Sequence, residues 1–487
     1  MTKRFLPLFL LLILLAFASS SFVESEEDET TEPRPWFKQF TPVRTFYVST
    51  SGNGDGKTAA HPMNLKKAMT SGSPGDLFWV LEGTYSGDFR PKREGTEERP
   101  IVFRAEQGKR VVIEGGFSLE AANNWVWGFE ITDRQNVQKD GGVEMLAAGT
   151  RAINNVIHDQ MGNIGIGAWQ QGKGQVIYGN IVYRQIPNEN NPHNLYIQND
   201  YDSWGYKYVV NNVLIDSADA NEHTFNVHAY TEGGLITGLW FEKNVIRNGK
   251  FLVGGFNAPA DHEVVKENYF YRSHIQFGYR RPTQVRFQNN YVARTPLLTE
   301  WVWGAGETQF RQTAPSVYTF NELVYPPGPH LRFSTSAYLP AGRCEGCPRI
   351  RSNDIFDENK YSAPFRATFF ADSNNMGIVD LPTWRRLTAQ AGKGFDANSV
   401  EVPAPKNVKT VILENDYDPM RAHLVIYNWS PAQTVTVNLG SYLPPGSRFA
   451  IYDVKQAFQA PILAGIYSAP VQIPSDREFR VFLITRQ

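Results

Sequence analysis

Cysteine is almost missing: Cys344 and Cys347 are the only two in 487 residues, which excludes a disulfide-built scaffold. Both stand in AGRCEGCPR, a Gly/Pro-rich loop, where a small disulfide closing that loop is the expected role. The alternatives are half of a metal site or a C-x-x-C redox pair. An excess of one charge is also missing. With 48 basic and 49 acidic side chains, the chain has no electrostatic footprint for nucleic acid. Long apolar runs are missing except at the start, where Lys3 and Arg4 precede an apolar stretch from Phe5 to Phe17 and an A-x-A site at Ala16-Phe17-Ala18. Residues 1–18 therefore read as a secretory signal, too short for a stop-transfer helix. No cysteine follows to carry a lipid, and no later stretch is apolar enough to span a membrane. A secreted, extracellular protein is expected, with residues 19–44 (SEEDETTEPRP within them) as an acidic disordered linker.

Helical periodicity is scarce as well. What is present is 40 glycines and 13% aromatics, the composition of a turn-rich β protein. One phrase recurs: NNVIHD, GNIVYR, NNVLID, KNVIRN, ENYFYR and NNYVAR, each with Asn second, at Asn155, Asn180, Asn212, Asn244, Asn268 and Asn290. Such a spacing marks a stacked repeat. Each repeat reads as strand, turn, strand. Asn suits a left-handed turn position, and identical amides on successive strands can form ladders. A leucine-rich repeat would need a dense LxxLxL pattern, which is lacking. The expected fold is all-β, a right-handed parallel β-helix over 45–379. A helix and linker follow at 380–404, where Asp380 can cap and Gly392 stop the helix. Residues 405–487 hold short strands suited to a small antiparallel β-sandwich. At the other end NLKKAMTSG is a helix able to cover the first coil.

GDLFWVLEGTYSGDF, GTEERPIVFRAE and NWVWGFEIT resemble the first coils of secreted parallel β-helix proteins of the pectate-lyase-like superfamily. PHNLYIQND and FNVHAY resemble phrases of an uncharacterised branch of it. The resemblance covers about residues 45–360. It implies the fold and a carbohydrate-active role, and it is poor for the reaction. The Asp-pair and G-H-G pattern of polygalacturonases, the clustered Glu ligands of chondroitinase-B-like lyases and the W-x-D-H phrase of the first pectate lyase family are all missing.

Strand alternation assigns Val143/Met145, Ile164/Ile166, Leu195/Ile197, Phe225/Val227, Phe251/Val253 and Ile275/Phe277 to the interior. The outward column is then Glu144, Gly165, Tyr196, Asn226, Leu252 and Gln276. A second column holds Gln198, His228, Gly254 and Gly278, with the glycines leaving floor space for a chain. Beyond lie Trp169, Asp200, Tyr230, Phe256 and Arg280, and at the strand starts Asn194, Lys250 and His274. Rings beside amides and mixed charges suit a sugar groove.

Lys250, His228, Arg280 and Tyr196 are the catalytic candidates. His193, Gln198, Asp200, Asn226, Tyr230, Trp169 and Glu144 are the substrate-binding ones. In β-elimination on a uronic acid, Arg280 or a bound Ca²⁺ would neutralise the carboxylate, and Lys250, His228 or Tyr196 would take the proton. Hydrolysis needs two carboxylates about 5–9.5 Å apart. Glu144 and Asp200, two coils apart at ~10 Å, exceed that, so a polysaccharide lyase ranks first and a glycoside hydrolase second. A non-catalytic glycan-binding surface protein is the third reading. A monomer with a polysaccharide partner is expected.

Overall fold

The computed structural model describes residues 34–137, 141–187, 192–200, 205–217, 224–230, 236–254, 260–279, 282–302, 314–334, 354–371, 374–390, 394–430 and 432–486. The signal sequence, Cys344, Cys347, Phe256 and Arg280 lie outside them. No helix among the described residues is long and apolar enough to cross a membrane.

The chain winds into a parallel β-helix of three walls rather than two. Wall 1 is a 12-stranded parallel sheet running from Arg44–Val48 to Ile355–Asp357. Walls 2 and 3 alternate within a 22-stranded sheet. One full coil shows the order: Arg151–Ile153 in wall 1, Val156–Gln160 in wall 2, Ile164–Ala168 in wall 3. The wall 1 strands are only three or four residues long in the middle coils, which is why the sequence alone hides them inside the lead-in to each Asn phrase.

Asn155, Asn180, Asn212, Asn244, Asn268 and Asn290 occupy the corner between walls 1 and 2, and Asn321 and Asn359 continue the row. From Asn180 to Asn359 each side-chain oxygen accepts two hydrogen bonds, from the backbone N–H and the Nδ2 of the Asn one coil earlier, all 2.8–3.1 Å, and that of Asn155 accepts from the Phe129 N–H at 3.0 Å. The ladder Asn residues are not the left-handed ones. That conformation belongs to the residue before: Asn154, Gly179, Asn211, Lys243, Glu267 and Asn289. The amide suits the dry corner because its oxygen accepts while its NH2 has two hydrogens to donate. The row ends where Asn359 N–H donates to Ser399, itself bonded to buried Asp396.

Both ends of the solenoid are covered. Helix Leu65–Ser71, capped by Asn64 accepting from Lys67 N–H at 2.8 Å, buries Leu65, Ala68 and Met69 against the first coils. Helix Leu381–Gln390, with Asp380 accepting from Thr383 N–H at 2.9 Å, buries Trp384 over Phe395. Wall 2 has one strand past this helix, Val400–Val402, inside the stretch read as linker. The described part of the acidic linker is also not free chain. Trp36 is buried, packing its ring 6.0 Å from Trp240, and Phe40 sits 5.9 Å from Trp125. Two aromatics in PWFKQF are enough apolar area to hold that segment on wall 1.

From Lys409 onward an antiparallel five-stranded sheet and a two-stranded sheet enclose their own core of Leu424, Ile426, Val437, Phe449 and Phe482. The other face of the larger sheet lies on wall 2. There Val425, Tyr427, Val481 and Leu483 cover the outward residues Val156, Ile181, Val213 and Val245. Polar contacts fix this docking: Arg294 holds Glu478 with two bonds of 2.9 and 2.8 Å, and Asn211 Nδ2 donates to the Glu414 carbonyl at 2.7 Å.

Candidate functional site

Wall 3 is the wall whose outer face the sandwich leaves uncovered. Its register differs from simple alternation. Val143, Ile166, Leu195, Val227, Phe251 and Ile275 share one inward row. The outward row is Glu144, Gly167, Tyr196, His228, Leu252 and Gln276, so Tyr196 stands beside His228 and not beside Asn226.

A bulge accounts for the difference. The register of Phe225–Ala229 on Lys250–Val253 shifts between Phe225 and Val227, so Phe225 pairs with Lys250 and Val227 with Phe251. The extra residue turns Phe225 to the outer side and tucks Asn226 in. Ile164, His193, Phe225, Lys250 and His274 consequently form a second outward row. Two expectations are corrected here. Phe225, though buried, stacks on the outward histidines rather than joining the core, and Ile164 shares its row. Asn226 and Asn194 are fully buried in a second amide chain, Gln185 to Asn194 at 3.0 Å and Asn194 to Asn226 at 2.8 Å, and cannot touch a ligand.

The rings of this face form one pile. His193 Nε2 and His228 Nδ1 are 2.8 Å apart, in rings only 4° from coplanar. Phe225 stacks 4.2 Å from His228, and Tyr230 4.9 Å from its other side. Tyr196 presents its edge to both imidazoles, and Trp169 lies 5.4 Å from Tyr196. The Lys250 ammonium sits 5.6 Å above Phe225. Burial, followed by the charges of His193 and Lys250, pushes His228 well below the usual imidazole range, so it is neutral at physiological pH.

Glu144 is buried and accepts a short hydrogen bond from the Trp169 indole N–H. Gly167 makes room for that pair: a Cβ there would stand 2.7 Å from the Glu144 carboxylate and 2.9 Å from the indole nitrogen. Glu144 thus braces Trp169. Gln198 and Asp200 lie past the end of the strand, half-buried, and do not share the outward rows. Gly254 is not groove floor, because a Cβ on it would lie 1.5 Å from the Gly278 carbonyl; the glycines let coils approach. No group of three or more potential metal ligands occurs among the described residues.

Sequence reasoning missed two supports of the site. One is Phe225. The other is Lys207, fully buried with an ammonium that donates to the Ala168 carbonyl at 3.2 Å and to the Trp169 carbonyl, holding the end of that strand. A third missed feature is a polar cleft of about 480 Å³ on wall 2, beyond the edge of the sandwich. Its His158 is bonded on one side to Glu130 and on the other to Asp159, each at 3.1 Å, while Arg110 grips Glu130 and Arg184 grips Asp159. Every charge in that set is paired.

No protein-family model and no curated protein matches the chain. Among solved structures, pectate lyase Pel9A is similar at 14% identity and a TM-score of 0.39, over 60% of this chain and 80% of that one. The PL6 family polysaccharide lyase Pedsa3628 from Pseudopedobacter saltans is similar at 13% and 0.42, over 74% and 92%. A complex of XylC with xylose is similar at 10% and 0.40, over 89% and 97%. Scores this low bear on neither substrate nor reaction; the fold rests on the strand ladders themselves.

Proposed function

We propose that the chain is a carbohydrate-active enzyme that binds an acidic polysaccharide along wall 3 and cleaves it by β-elimination. One observation carries the reading. Tyr196, His228 and Lys250 rise from three successive coils of a single wall that the sandwich does not cover, flanked by Trp169, Phe225 and Tyr230. Successive coils are ~4.8 Å apart, about one sugar ring's width. Flat rings supply stacking faces for a chain laid across them.

In the reaction, a base removes the proton beside the uronate carboxylate. The C–O bond to the leaving sugar breaks, a carbon–carbon double bond forms, and the leaving oxygen takes up a proton. Lys250 is the described cation suited to the carboxylate. Neutral His228, or Tyr196 against its edge, is suited to the proton transfer. His193 fixes the tautomer of His228, since one ring of the pair must donate and the other accept. Arg280, which lies outside the described residues, stays in the proposal as a second cation.

The test follows ultraviolet absorbance of the unsaturated product alongside new reducing ends, on anionic and neutral glycans. Tyr196→Phe and His228→Gln are each expected to lower kcat about 10²–10⁴-fold with glycan binding retained. New reducing ends without absorbance, or variants that turn over normally, would sink the lyase reading.

A further inference from the structure

A larger cavity, about 530 Å³, opens where walls 1 and 2 meet the sandwich, lined in part by Arg104, Trp127, Asn154, Asp418, Arg421 and Phe458. Pockets of this size at domain junctions are common ligand sites. Arg104 stands in register between Trp79 and Trp127 on the outer face of wall 1. Its guanidinium lies 3.8 Å from the Trp127 ring centre and 5.1 Å from that of Trp79. Stacking occupies the π faces and leaves the N–H edge open; among the described residues no ion pair or hydrogen bond takes it up.

Arg421 enters from the sandwich. It reaches only the carbonyls of Asn154 and Gly179, at 3.5 and 3.4 Å, and its buried Nε has no hydrogen-bond partner among the described residues. Burial lowers both arginines from their ordinary value. The rim charges are largely committed. Arg110 forks onto Glu130, Lys109 lies 3.7 Å from Glu82, and Asp418 caps the backbone N–H of Met420. Asp418, on the same lining, acts on both arginines by its charge but hydrogen-bonds neither, so two partly desolvated guanidinium groups with unfilled donors face one cavity.

We propose that this cavity is a second binding site for an oxyanion carried on a sugar, the carboxylate of a uronate or a sulfate ester, held by Arg104 and Arg421. The planar fork of arginine matches either group with two parallel hydrogen bonds. Trp127, under Arg104, keeps that fork flat and aimed. The identity of the sugar rests on the reading of wall 3 as a site for acidic glycan; the anion site rests on the arginines alone. An acidic chain would then be held at two places, on wall 3 and at the junction.

Calorimetric titration of the full chain with a uronate oligosaccharide, its neutral counterpart and sodium sulfate tests this. In a Lys250→Met background, adding Arg104→Met should lower the residual affinity for the uronate oligosaccharide about tenfold or more. Arg104→Lys should fall between. Arg104→Met sits at a surface stack, so an unchanged melting temperature shows that the fold survives; Arg421→Met is the second variant, read only where it melts normally. Arg104→Met titrating like its parent with every anion overturns the site and leaves wall 3 untouched. Sulfate binding that depends on Arg104, without any Arg104-dependent binding of the uronate oligosaccharide, overturns the sugar and points to a free-anion site.

Discussion

Walls 2 and 3 come from the same repeated coils, yet their outer faces have opposite fates. On wall 2 the outward row is Val156, Ile181, Val213 and Val245, as apolar as the inward row of Ile157, Val182, Leu214 and Ile246 behind it. On wall 3 the outward row holds Glu144, Tyr196, His228 and Gln276. A strand apolar on both faces must be covered on both; the sandwich is what covers wall 2. The wall 3 row of rings, imidazoles and amides has no sandwich over it. The second face of each strand therefore tells which wall the sandwich docks on.

The sharpest way to break this contrast is to put a charge under the sandwich. Val213→Asp buries an unpaired carboxylate between Val213's neighbours and the sandwich strands, and should cost more than about 4 kcal/mol or prevent folding. Chemical denaturation checks it. The same charge placed at Leu252 on wall 3, buried but not under the sandwich, should cost less; equal costs would mean that wall 3 is covered in the same way. Next in size is the corner shared by both walls. Asn244→Ala strands the backbone N–H of Asn212, whose Nδ2 keeps the Ile177 and Val210 carbonyls, and should cost about 1–3 kcal/mol. Asn244→Asp should not rescue it, because a carboxylate cannot donate to the Val209 carbonyl. A smaller effect belongs to wall 3 alone. Gly167→Ala presses on the Glu144–Trp169 pair and should cost about 1–3 kcal/mol, with weaker glycan binding in titration as Trp169 is displaced.

The Asn phrase made the solenoid legible, because an amide recurring at that spacing, each time ahead of a short apolar strand, fits stacked coils and little else. The third wall was not legible: strands such as Arg151–Ile153 and Val176–Tyr178 are too short to show a period of two. Most of the residues that gather on wall 3 could be named from TFNVHAY and PHNLYIQND, but not their order. Alternation counts residues evenly, and the bulge at Phe225–Asn226 inserts one that the count does not see. The pairing of Glu144 with Trp169 and the docking of Arg421 onto the junction join residues 25 and more positions apart. No local pattern encodes them.

The two walls also shift their histidines in opposite directions, which gives the smallest and most selective test. On wall 2, burial lowers His158, but the hydrogen bonds to Asp159 and then Glu130 outweigh it and leave the group above its ordinary 6.5. The charges around it are Glu130, Asp159, Arg110, Arg134 and Arg184. A raised folded value means that its contribution is complete below pH 6.5 and is lost as pH rises through that value. Glu130 runs the other way. Burial raises it, but His158 and Arg110 bring it to about 2 from 4.5, so its contribution is complete above pH 4.5 and lost as pH falls toward 2. On wall 3, His228 is held well below 6.5 by burial, His193 and Lys250. Its unfolded form takes a proton that the folded form refuses, so stability declines as pH falls below 6.5. Between pH 4.5 and 6.5 neither Glu130 nor His158 contributes a slope, and His228 does. Buried His330 and His423, lowered to about 4 and about 3, give a slope of the same sign, so melting temperature against pH should decline less steeply in that window in His228→Gln without becoming flat, while His158→Gln should flatten only the loss above pH 6.5. A flattening on the same side in both variants would mean that the two walls do not hold their imidazoles in different states.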